Sequence, residues 1–176
     1  MFPQETLILL LGTMKKFYFL LPLIFLLTAC GDNGADDISE LSSKVFNALQ
    51  SQNQSALARC EPSVPDMEKA IEMNFEDSTR TEAARHDAAM NKTATLQLNL
   101  DQAFSNVVAG AKKRNIDWKT AQLKDFRYTI NEHVEDYKDA DVHLVVSCGK
   151  IKSQINFKAY LFDSRWYLVE GLEWDN

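Results

Sequence analysis

The sequence predicts an α+β fold, with N-terminal helices packed on a curved, cone-like C-terminal sheet of four antiparallel strands. Three observations carry that expectation. Between residues 38 and 114 the apolar positions recur every three or four residues, the period of an amphipathic helix. After Asp117 and Trp118 the repeat shortens to two, the period of a half-buried strand. Helices first and strands afterwards, joined by short turns, is an α+β order rather than a βαβ alternation.

Residues 38–50 place Ile38, Leu41, Val45, Phe46 and Leu49 on one helical face. Asn53 or Ser55 can cap a short second helix running to Arg59, because short polar side chains satisfy the free N–H groups of a first turn. Ser63-Val64-Pro65-Asp66 reads as a third start, with Ser63 as cap and an acid three residues on. Met67, Ala70, Ile71 and Phe75 continue its apolar face. Ser78 precedes an alanine-rich stretch, residues 79–114, that has no proline and one glycine, Gly110. It predicts one or two helices. Within it Ala94, Leu96, Leu98 and Leu100 alternate as a strand would, which leaves residues 93–100 ambiguous. Lys112, Lys113 and Arg114 suit a helix C-terminus, where cations meet the negative end of the dipole.

Four period-two runs follow. Phe126, Tyr128 and Ile130 lead the first, and Val142, Leu144, Val146 and Cys148 the second. Ile155, Phe157, Ala159 and Leu161 form the third, and residues 165–174 the last. Turns are expected at 135–139, at 149–152 and at Asp163-Ser164, giving an antiparallel meander. The first helix with its Phe46-Asn47-Ala48-Leu49 end, the Gln54-Ser55-Ala56-Leu57 stretch and the closing INFKAYLFDSRWYLVEGLEW together resemble the nuclear transport factor two-like, or cystatin-like, domain. The resemblance covers the outline of residues 38–174 without a signature motif. The long middle helical region departs from the commonest family pattern, which has a strand there.

Residues 14–30, MKKFYFLLPLIFLLTAC, have the layout of a secretory signal. Lys15 and Lys16 precede an apolar core of about half the ~20 residues that a membrane-spanning helix needs. The Leu27-Thr28-Ala29-Cys30 ending resembles a bacterial lipobox. That resemblance implies cleavage before Cys30, diacylglyceryl on its thiol and attachment to a membrane; two or more acyl chains anchor stably. Residues 1–29 are then a signal peptide, with 1–13 a mis-called start extension. Residues 30–37 form a lipidated, flexible tether and residues 38–176 a single domain. Gly31, in the place where an Asp would retain an enterobacterial lipoprotein in the inner membrane, favours the outer membrane.

The formal net charge is −6, and loss of Lys15, Lys16 and Glu5 with the signal makes it more acidic by one. An acidic surface argues against nucleic acid and suits a basic protein. Glu132, Glu135, Asp136 and Asp139 cluster around one turn and offer a partner patch; they lack the spacing and the glycine bend of a calcium loop. Cys60 and Cys148 form a disulfide or stand as two separate buried thiols; a bridge would contribute about 4–5 kcal/mol through its long loop. Trp118, Tyr128, Trp166 and Tyr167 concentrate aromatic area at the sheet, where part of it would line a cavity.

Catalytic motifs are missing from the sequence. His133 and His143 fall on the polar side of their strands without zinc spacing, and His86 with Asp87 is the one local acid–base pair. No cofactor or metal is expected. The sequence thus points to a non-enzymatic, lipid-anchored binding protein of the cell envelope, its domain in the periplasm or at the cell surface and its partner a basic protein. The alternative is a carrier of a small apolar or amphipathic ligand.

Overall fold

The computed structural model describes residues 33–73, 81–134 and 137–175. The expected signal segment, Cys30, Phe75, Ser78, Glu135 and Asp136 lie outside them, as do the side chains of Glu132 and His133. Helices α1 (Ile38–Gln50), α2 (Gln54–Ala58), α3 (Val64–Met73) and α4 (Glu82–Gly110) come first. A 3-10 turn (Ala111–Arg114) closes α4. Strands β1 (Gln122–Val134), β2 (Tyr137–Cys148), β3 (Ile151–Phe162) and β4 (Arg165–Trp174) follow. The sheet is an antiparallel meander in the order β1-β2-β3-β4. The α+β expectation therefore holds.

Each helix starts where a side chain can take its first free N–H groups. Asp37 Oδ1 accepts from the Glu40 amide at 2.7 Å, and Glu40 reaches back to the Asp36 amide at 2.8 Å. Asn53 caps α2 through the Ala56 amide at 3.1 Å. On α3, Asp66 accepts from both the Ser63 amide, at 2.9 Å, and the Ser63 hydroxyl, at 2.6 Å. The cap of α4 is Thr81, through the Ala84 amide at 3.3 Å. The Asp37–Glu40 and Ser63–Asp66 contacts are reciprocal caps, and those at Asn53 and Ser63 stand where the sequence places them.

Residues 82–110 form one continuous helix. Its inward face runs Ala89, Thr93, Leu100, Phe104 and Val107, with Leu96 half-buried between. Leu98 is 71% exposed, so the alternation over residues 93–100 is incidental: only the three-and-four spacing meets the core. Asn115 ends the element at φ 55°, its N–H turned back to the last carbonyls.

The sheet register stacks its apolar residues in rows. Phe126, Leu144, Ile155 and Trp174 form one; Ile130, Ala140, Ala159 and Leu168 another. Leu41, Val45 and Leu49 of α1 and Phe104 and Val107 of α4 share a core with these rows. Trp174 donates its ring N–H to the Val107 carbonyl at 2.8 Å, and Trp118 does so to Val108 at 3.3 Å. The two indoles pack at 5.8 Å between centroids. The β3–β4 turn holds Asp163 at φ 50° and Ser164 at φ 63°, a mirror-image turn that fits the twist of a tight hairpin.

The outer edge of β4 is sealed by chain from the front of the domain. Ala35 and Trp166 exchange backbone hydrogen bonds at 2.9 and 2.8 Å, and Leu168 donates to the Cys60 carbonyl at 2.8 Å. Ala35 is fully buried, and a Cβ on Gly34 would lie 2.8 Å from the Trp166 carbonyl oxygen. Residues 34 and 35, expected as tether, are therefore held against the domain, Ala35 by its isolated bridge to Trp166 and Gly34 by its N–H to the Arg59 carbonyl at 2.8 Å. Helix length among the described residues is spent on the core: none is long and apolar enough to cross a membrane.

Candidate functional site

The four aromatic residues expected around a cavity do not share one. Trp118 and Trp166 are buried in the main core, and Tyr167 is buried in a second cluster, stacked on Phe162 at 4.4 Å. Tyr128 is 49% exposed on β1. Trp118, Trp166 and Tyr167 thus serve as packing, and Tyr128 stands half in solvent.

Cys60 and Cys148 are free thiols, so no bridge joins them. The register explains why. Cys60 docks on the outer edge of β4 at Leu168, in the row of Ala159 and Ala140. Cys148 lies two strands away and, at ~3.3 Å per residue, roughly 26 Å further along β2; disulfides need Cα atoms within about 7 Å. Burial pushes the Cys60 thiol up to about 12, which makes it an inert core group. The Cys148 sulfur contacts the Thr120 hydroxyl at 3.2 Å.

The acidic turn divides differently from the expectation. Asp139 is only 5% exposed and, with Asp141, accepts from the Asn131 amide, each at 3.2 Å. Asp139 is thus a tie across the outer sheet face and offers nothing to a partner. His143 sits on the same face, its Nδ1 2.8 Å from the Asn156 side-chain oxygen, as its strand parity implies. Among the described residues no group of three or more histidines, cysteines or acids could hold a metal ion.

A cleft of about 550 Å³ opens between the exposed flank of α3 and the start of α4, lined by Glu68, Glu72, Glu82, Ala83, Arg85 and His86. Glu68 and Glu72 stand one helical turn apart, so both point the same way. Glu82 enters from the first turn of α4, where an acid is favoured by the helix dipole. His86 pairs with Glu68 through Nδ1, which leaves it on an exposed rim rather than in an interior acid–base pair with Asp87. Three carboxylates thus share one concave surface with Arg85 and with His86, the partner of Glu68. The i, i+4 glutamates of α3 were visible in the sequence; Glu82 joins them only because α3 and α4 fold back on one another.

A second acid lies in the interior. Glu61, between α2 and α3, is 1% exposed, and neither carboxylate oxygen has a hydrogen-bond partner. Burial, reinforced by the negative charge of Asp101, pushes its carboxyl up to about 7.

The chain matches no protein-family model and none of the curated proteins. It is similar to a solved structure, that of a cystatin-like protein from Ruminococcus gnavus ATCC 29149, at 15% identity and a TM-score of 0.45 over 76% of this chain. It spans 40% of the length of that protein.

Proposed function

We propose that this chain is a lipid-anchored protein of the bacterial cell envelope that works by binding, and that its domain takes a basic protein segment into the cleft between α3 and α4. The cleft carries this reading: Glu68, Glu72 and Glu82 face one surface with Arg85 and His86 as the opposing basic side chains, on a chain of net charge −6. A lysine or arginine from a partner would meet Glu72 and Glu82 there and would compete with His86 for Glu68. The anchor reading rests on the layout of residues 14–30. Of the four aromatic residues that the carrier alternative names, Tyr128 is the exposed one.

Pull-down from an envelope extract with the full chain tests the binding reading. A partner should be recovered at low salt, released at high salt and lost with the Glu68→Lys, Glu72→Lys double variant. Recovery that ignores both salt and charge reversal would remove the cleft as the site. Metabolic labelling with a palmitate analogue tests the anchor separately: the wild type should incorporate it and Cys30→Ser should not.

A further inference from the structure

Glu61 sits where three parts of the domain meet. The short strap that joins α2 to α3 runs through it. Cys60, just before it, accepts from the Leu168 amide of β4 at 2.8 Å, and Arg59 accepts from the Gly34 amide at 2.8 Å. Two adjacent carbonyls thus tie both the edge of β4 and the chain ahead of α1 to this strap. Cys60 is fully buried and Glu61 is 1% exposed. Burial suits the thiol; it does not suit a carboxylate. Neither oxygen of Glu61 has a hydrogen-bond partner among the described residues, and the charges around it are turned elsewhere or repel it. Asp101 faces it from α4 with like charge. Lys44 of α1, whose charge reaches Cys60, is taken by Glu40 and by the Gly34 carbonyl, each at 2.8 Å. Asp66 of α3 accepts from the Ser63 hydroxyl at 2.6 Å, Arg165 of β4 lies 3.8 Å from Asp36, and Arg59 on the strap itself is exposed. A neutral carboxyl can be held in such a place at modest cost, whereas a carboxylate without a partner is expensive.

We propose that Glu61 is a proton-operated latch: its protonated carboxyl keeps the strap of residues 59–61 closed on β4, and loss of the proton to solvent lets the strap open transiently toward water, parting the Cys60–Leu168 and Arg59–Gly34 bonds while the sheet and the helices stay folded. The opening is local because it moves one short connection and breaks two backbone bonds to it, and segments of that kind open at lower free energy than the whole fold. The proton therefore sets how tightly the edge of β4 is sealed and how firmly the chain ahead of α1 is held. The direction follows from linkage. Burial first, and Asp101 next, raise the carboxyl from 4.5 to about 7 in the closed form, so the closed strap binds the proton more tightly than the open one. The opening equilibrium should rise about ten-fold for each pH unit above about 4.5 and level off beyond about 7. Neither the lipid anchor nor the α3–α4 cleft enters this inference.

Cys60 supplies the reporter. Its thiol is buried while the strap is closed and becomes open to reagent when the strap lifts. The full chain is alkylated with N-ethylmaleimide and the label at each cysteine is read by peptide mass, for the wild type and for Glu61→Gln side by side. Taking the ratio of the two at each pH cancels the titration of the thiol itself. The two proteins should label Cys60 within a few-fold of one another at pH 5, and the wild type should be about 100-fold faster at pH 8. Cys148, half-buried and remote from the strap, should label alike in both. Asp101→Asn should shift the rise to lower pH, because it removes the like charge that faces Glu61. Adding about 1 M urea should leave the Cys60 rate nearly unchanged, since a local opening exposes little surface. Equal Cys60 rates for the wild type and Glu61→Gln at pH 8, or a rate that climbs steeply with urea as global unfolding requires, would overturn the latch.

Discussion

Along β4 the backbone groups that face away from β3 are taken up by Ala35 and by the Cys60 carbonyl, and every apolar side chain from Trp166 to Leu168 is buried. Along β1 the corresponding edge has no neighbour strand among the described residues, and Tyr128 and Ile130 end half in solvent. Both strands carry aromatic residues, but β1 alternates whereas β4 is buried without a break from Trp166 to Val169. The difference lies in what the rest of the chain can reach. The segments before α1 and after α2 both come back to β4, and α4 runs against it. β1 follows the end of α4 directly and is left at the far side. Hydrophobic patterning therefore tells which face of a strand is apolar; whether that face is buried depends on where the helices stop.

Four measurements sharpen or break the contrast between the sealed and the open edge. The largest effect is expected in the row that ends at β4. Leu168 is fully buried, and Leu168→Ala should cost about 3–4 kcal/mol in urea unfolding, since deleting buried methyl groups leaves a cavity. A value near zero would mean that the β4 side is not the packed side.

Glu61, next to the Cys60 carbonyl that seals the edge, should make that side pH-sensitive. Its carboxyl rises from 4.5 to about 7 in the fold, so the folded state favours the protonated form. The stability this gives is fully present below pH 4.5 and is lost as the pH climbs through about 7. With about 1.4 kcal/mol for each unit, the fall amounts to about 3 kcal/mol. Glu61→Gln, which keeps the shape without the charge, should flatten the profile and stabilise the protein at pH 8. An unchanged profile would show that water or movement relieves the carboxylate.

Gly34→Ala comes next. Gly34 has φ +79° and no space for a Cβ beside the Trp166 carbonyl, so the substitution should cost about 2 kcal/mol through the left-handed backbone penalty and the contact together. Hydrogen exchange of the Ala35 and Trp166 amides should quicken in step. The smallest change is reserved for the open edge. Ile130→Thr keeps a β-branched side chain at a position 41% exposed and should move monomer stability by no more than about 0.5 kcal/mol. A loss as large as that of Leu168→Ala would mean that β1 is covered within one chain, and would erase the contrast.

Much of the fold was legible because its signals are periodic. The apolar positions of α1 all point inward as spaced, the caps at Asn53 and Ser63 hold the helices they precede, and the four strands fall in the expected order. What stayed hidden is physical in origin. The Ala35–Trp166 bridge uses backbone groups only, so a stretch reading Asn-Gly-Ala-Asp-Asp gave no side-chain sign of it and looked like a tether. Cys60 and Cys148 share a residue type and a compartment, but not a neighbourhood, and distance is not written in spacing. Trp118 and Trp166 were correctly placed near the sheet, yet aromatic content cannot distinguish rings that line a hollow from rings that fill it. The α3–α4 cleft needed Glu82 to return beside Glu68 and Glu72, which only the helix pairing provides.

The bridge at Ala35 also has a mechanical consequence. Any pull on the chain ahead of Asn33 enters the domain at Ala35 and is handed at once to Trp166 in β4. From there the load crosses β3 and β2 through their ladders. Gly34 shares that load with the helices, its N–H donated to the Arg59 carbonyl at the end of α2 and its carbonyl accepting from Lys44 of α1, each at 2.8 Å. Tension would have to part this cluster around residues 34 and 35 before it strained the core.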